Sequence, residues 1–230
     1  MKKAILRSTS ALALYALTLG LPVHAEPARQ LLLDVDFAAR DVAKVDIGDF
    51  HFLPGQLAPL HTHAAPAIGY VSKGTIYYQV EGQPAQILKA GDAFYEPVGP
   101  KILHFDNASA TEEAVFTDFN LQQTGEPFIV FDHPPTEKID RRTFPTAPIV
   151  AKGVTKAVAV SERIAAGAPI NRTEADPVVG YVAQGRVTIT VDGKAERYAQ
   201  GQSFFAPAGS TAKYAAAGQG ATIISFALKR

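Results

Sequence analysis

The second half of this 230-residue chain repeats the first, and that most restricts what it can fold into. Residues 61–83 read HTHAAPAIGYVSKGTIYYQVEGQ, and residues 172–194 read RTEADPVVGYVAQGRVTITVDGK. At an offset of 111, nine pairs are identical, among them Pro66/Pro177, Gly69/Gly180, Tyr70/Tyr181, Gly74/Gly185 and Gly82/Gly193. Further on, GDAFYEPVG at 91–99 returns as GQSFFAPAG at 201–209, one residue earlier in the frame. Solenoid repeats are much shorter than this, so the spacing describes a duplicated domain.

Both copies read as all-β. Thr75 to Val80 is rich in β-branched and aromatic residues and ends at Glu81-Gly82. In the second copy Val187, Ile189 and Val191 alternate with Arg186, Thr188 and Thr190, and Asp192-Gly193 follows as a hairpin signal. Short strands between Gly/Pro turns point to sandwiches or barrels. Residues 121–150 hold five prolines and read as an extended connector with room for an edge strand.

The 22 basic residues balance the 22 acidic ones, so nothing draws the chain to nucleic acid. With no cysteine there is no thiol nucleophile, disulfide or Cys-based metal site. Lys2, Lys3 and Arg7 precede an apolar stretch, Ala11 to Leu21, and Val23-His24-Ala25 offers a small-x-small cleavage site. This predicts a signal peptide over 1–25, cleavage after Ala25 and a periplasmic or secreted protein. No apolar run has the length of a lasting transmembrane helix, so no stable membrane insertion is expected after cleavage.

Gly55, five residues, His61-Thr62-His63 and Gly74, followed by Gly91, Pro97 and Gly99, resemble the two sequence motifs of the cupin superfamily. The resemblance implies two tandem double-sheet, jelly-roll-like β-barrels, a bicupin. The barrels would occupy 26–120 and 151–230, joined by the connector 121–150. The family glutamate position holds Ala67, and the family histidine of the second motif holds Ile102, with His104 two residues on. In the second copy Arg172 and Glu174 replace His61 and His63, and Ala212 and Tyr214 replace Ile102 and His104. That copy has lost the usual metal set.

His61 and His63 alternate to one face of a strand and can supply two metal ligands. In a regular strand His104 would face the same way as Ile102 and complete a three-nitrogen set. Such a set suits one divalent transition metal: Fe, Zn, Cu or Ni. His51, Tyr70, Tyr78 and Glu96 are candidates for a substrate pocket. For Arg172 and Glu174 an ion pair and capture of an anionic ligand are both open. The chain has no G-x-S-x-G elbow or phosphate loop. Two function classes remain. One is a metal-dependent oxidoreductase of dioxygenase type acting on a small organic substrate, with isomerase or lyase chemistry on the same metal as its variant. The other is a non-catalytic periplasmic protein that binds a small molecule or metal. Barrel edges leave room for a homo-oligomer.

Overall fold

The computed structural model describes residues 29–144, 149 and 151–230; the signal-peptide reading lies outside these. Strands follow one another as β1 (Arg29–Val42), β2 (Lys44–Phe52), β3 (His61–Thr62), β4 (Ala67–Lys73), β5 (Thr75–Val80), β6 (Gln86–Lys89), β7 (Ala93–Glu96), β8 (Ile102–Asn107) and β9 (Ala114–Gln122). Then come β10 (Val130–Phe131), β11 (Asp140–Thr143), β12 (Ala151–Ile164), β13 (Ile170–Thr173), β14 (Val178–Val191), β15 (Lys194–Ala199), β16 (Ser203–Ala206) and β17 (Thr211–Lys229). The all-β reading holds. Among the described residues no helix is long and apolar enough to cross a membrane.

Two five-stranded antiparallel sheets, β10-β3-β8-β5-β6 and β11-β2-β9-β4-β7, face each other as the first barrel. The second barrel is one seven-stranded sheet, in which long β14 and β17 run from one face to the other. Register shifts at Val182/Gln184 and Gly185/Val187 mark the corner, where bulges let a strand change direction.

The repeat has a packing reason. Gly69 and Gly180 each lie under a phenylalanine ring of the neighbouring strand. An added Cβ would stand 2.1 Å from Phe94 in one barrel and 2.0 Å from Phe204 in the other. Gly74 and Gly185 both take positive φ against facing backbone, at Glu113 O and Gly220 O.

Two segments cross the expected divisions. β1 pairs with β12, so residues 29–42 extend the second barrel's sheet rather than the first's. The connector supplies β10 and β11, which pair with β3 and β2 and so belong to the first barrel. Both joins cover a sheet edge that would otherwise leave its N–H and C=O groups unpaired.

β9 is buried at every position because both its faces are covered. Phe116, Asp118 and Asn120 point into the first barrel. Phe119 and Leu121 point the other way, into a core shared with Val179, Ile224 and Phe226 of the second barrel. Phe119 and Phe226 meet with ring centroids 4.8 Å apart.

Candidate metal centre

His61 and His63 stand at β3, with Thr62 on the opposite face, as period-two alternation requires. Both are buried, at 4% and 2% exposure. Glu96 ends β7, two residues after the inward Phe94 and on the same face, and is 4% exposed. Glu96 Oε2 lies 3.2 Å from His63 Nε2, and Oε1 lies 3.7 Å from His61 Nε2. The three residues offer ligand atoms all within 4.8 Å of one another.

The surroundings prepare these atoms. His61 Nδ1 donates to the Pro59 carbonyl at 2.7 Å, so in the neutral ring Nε2 keeps its lone pair for a metal. His63 Nε2 is buried and, although near Glu96, has no hydrogen-bond partner. The Asn120 amide lies 3.2 Å from His63 Nδ1, and its own Oδ1 has no partner. The Asn120 Nδ2 also donates to the Phe128 carbonyl at 3.1 Å, which keeps the amide nitrogen toward His63. The donor set and its orphaned nitrogen fit a divalent transition metal.

Burial opposes charge here, but the partners win. Burial pulls the His63 pKa down, yet the Glu96 carboxylate, with Asp118 and the Phe128 carbonyl, raises it overall. Burial pushes Glu96 up, yet His63 and His61 hold it down to about 2. Asp118 is driven well above the usual carboxylate range by burial and then by Glu96, against the weaker pull of His63 and Arg141.

His104 is not brought to this centre. It pairs with Gln79 while Ile102 pairs with Val80, so Leu103 is an extra residue in β8. That bulge breaks the alternation on which the third-ligand expectation rested. Ile102 faces inward at 1% exposure. The His104 side chain is 43% exposed, bonds Asp106 Oδ2 at 2.7 Å and leans on Tyr77. A carboxylate, not a third imidazole, completes the set.

Of the pocket candidates, only Glu96 lines the cavity beside the histidines. His51 sits on the outer face of β2, between Asp49 and Glu113 at 2.9 and 3.1 Å. Tyr70 packs against the core between the barrels, its ring centroid 6.2 Å from that of Tyr181. Tyr78 is a buried core residue whose hydroxyl donates to the Tyr95 carbonyl. Each is displaced for the same reason: strand phase turns it away, or packing fills the space around it.

The cavity over the centre measures about 320 Å³. Phe50, Phe52, Phe105 and Phe116 form its barrel walls, with Asp118 among them. Its outer wall comes from the connector: Phe128, Ile129, Phe131, Pro135, Ile139 and Arg141. An extended connector with an edge strand does not by itself foretell this wall. The signal available was its apolar content, since a solvated linker has no use for Phe128, Ile129, Phe131 and Ile139.

The second barrel holds an ion-pair network where the first holds histidines. Arg172 bonds Glu174 at 2.7 Å and Glu162 at 2.5 Å, and its guanidinium lies 4.5 Å from the centre of the Tyr214 ring. Tyr214 donates to Glu174 Oε1 at 2.6 Å. Of the two readings of Arg172 and Glu174, the ion pair is the one observed.

Residues 48–120 match the family model of the Cupin domain. The chain has the fold of a bicupin. Its first barrel carries the metal-type motif and its second a degenerate copy. The bicupin aligns over 84% of its length with 98% of AerE from Microcystis aeruginosa, at 15% identity and a TM-score of 0.58. It aligns over 81% with 71% of salicylate 1,2-dioxygenase from Pseudaminobacter salicylatoxidans, at 15% identity and a TM-score of 0.57. Vicilin from Capsicum annuum matches over 81% of this chain and 76% of its own, at 12% identity and a TM-score of 0.58. These likenesses are likenesses of fold, and a salicylate dioxygenase and vicilin share it. No curated protein sequence matches the bicupin.

Proposed function

We propose that this bicupin is an exported, metal-dependent oxidoreductase of dioxygenase type acting on a small organic substrate. The observation that carries the reading is the donor set: two histidines from one sheet and one carboxylate from the facing sheet, meeting beside an apolar cavity. Two imidazoles and one carboxylate with open positions are the ligand set of non-haem Fe(II) oxygenases. Iron held there would supply adjacent open positions for oxygen and substrate.

The protein's own residues do the rest. Pro59 holds the His61 tautomer, and Glu96 offsets one unit of the metal's charge, leaving the site net positive toward an anionic substrate group. The phenylalanine walls exclude water and strengthen that attraction. The fold likeness to a salicylate 1,2-dioxygenase, also seen as an adduct with gentisate, accords with this reading without carrying it.

The test is anaerobic loading of mature protein with Fe(II), metal analysis, and oxygen uptake with diketones, thiols and phenols. One iron per chain and substrate-dependent uptake, both lost in Glu96→Gln, are expected. Turnover under strict anaerobiosis would select isomerase or lyase chemistry, and a metal-loaded protein with no turnover would be a binding protein. N-terminal sequencing of the mature protein should begin at Glu26.

A further inference from the structure

Asp118 and Arg141 belong to the cavity but not to the metal cluster. Both carry a buried polar atom with no hydrogen-bond partner: Asp118 Oδ1 and Arg141 Nε. Buried polar atoms are nearly always paired, so two orphans on residues that line one cavity mark a place where something else belongs.

The sheet shows how they come together. Asp118 on β9 lies directly opposite Gly48 on β2 and Gly69 on β4, so neither cross-strand neighbour has a side chain. Arg141 is on β11, the strand beyond β2. Its side chain crosses Gly48: a Cβ added there would stand 2.7 Å from Arg141 Nε. The guanidinium is held by Phe128, 3.9 Å from the ring centre, and by Asp46 Oδ1 at 3.2 Å from Nη2. Neither contact uses Nε.

The geometry points to Asp118 and Arg141 as a hydroxyl-reading pole of the substrate cavity, separate from the metal ligands. Arg141 Nε–H can only donate, while Asp118 Oδ1 can accept as a carboxylate or as the carbonyl oxygen of the protonated acid. A hydroxyl both accepts and donates, so such a group can pair with either orphan. The other cavity walls are largely aromatic and apolar. The ligand class is therefore a compact apolar molecule whose hydroxyl is set against Asp118. A site of this kind rejects an analogue without the hydroxyl, because its own buried groups then stay unpaired.

This inference deepens the proposed function but is tested apart from it, by using metal-free protein first and zinc-loaded protein second. The probes are 2-naphthol and 2-methoxynaphthalene, titrated by fluorescence. Wild type should prefer the naphthol by at least about tenfold in both states. Asp118→Leu should bring the ratio to about one while zinc content stays unchanged. Gly48→Ala, whose Cβ presses on both Arg141 and Phe50 while neither polar residue is replaced, should lower the ratio too. Thermal melts establish that each variant is folded. A ratio near one in wild type, no binding of either probe, an unchanged ratio in Asp118→Leu, or loss of zinc in that variant overturns the assignment. Failure to bind zinc in wild type, with the preference intact, would overturn the metal reading alone.

Discussion

Glu96 stands directly across the β4–β7 ladder from Ala67. Ala67 occupies the position where the family motif has its glutamate, so the carboxylate is displaced to the neighbouring strand, from which it reaches His61 and His63. Glu96→Gln should lower metal affinity by more than the 10–100-fold typical of losing an outer partner of a ligand. His104→Ala should leave metal content unchanged. Equilibrium dialysis against Zn(II) checks both, and the reverse pattern would reinstate the three-histidine set.

In the second barrel, Arg172 neutralises two largely buried carboxylates, Glu162 at 9% and Glu174 at 7% exposure. Removing one partner of a buried pair leaves charge uncompensated. Arg172→Ala should cost about 3 kcal/mol or more in urea unfolding. Metal stoichiometry in that variant should stay at one per chain.

Gly69 and Gly180 make equivalent close contacts with Phe94 and Phe204. Alanine at either position forces a ring aside in a filled core and should cost about 1–3 kcal/mol. Gly69→Ala should also weaken metal binding, because Phe94 is two residues from Glu96 on the same strand. Gly180→Ala should not. Melting and zinc titration of the two variants separate these outcomes.

The metal-free protein should lose stability as pH rises. The pKa of His63 is raised above its ordinary 6.5, so its pairing with Glu96 contributes fully below 6.5 and is lost as pH climbs through the raised value. The raised Asp118 acts in the same direction, its contribution falling as pH rises above 3.8. Glu96, lowered to about 2, works at the acid end: its share is present above 4.5 and is lost as pH falls toward 2. The melting temperature without metal should drop from pH 6 to pH 9. Zinc should flatten or reverse that slope, because the metal takes the place of a proton.

Much of this molecule was legible from its residues because the relevant signals are local. Period-two alternation marked the strands, the duplicated glycines marked the two barrels, and His61-Thr62-His63 placed two imidazoles on one face. Glu96 was half legible: it follows Phe94 at the inward phase, where the second copy has Ala206. Its partnership with the histidines was not, because that depends on which strand β7 joins and in what register. His104 left the site through one bulged residue, which no alternation rule foresees. The connector became a cavity wall, and β1 joined the distant barrel. Strand pairing between residues far apart in sequence is decided by which sheet edges and apolar faces remain to be covered once the barrels have closed, so only the tertiary structure decided the third ligand, the cavity wall and the Asp118–Arg141 pole.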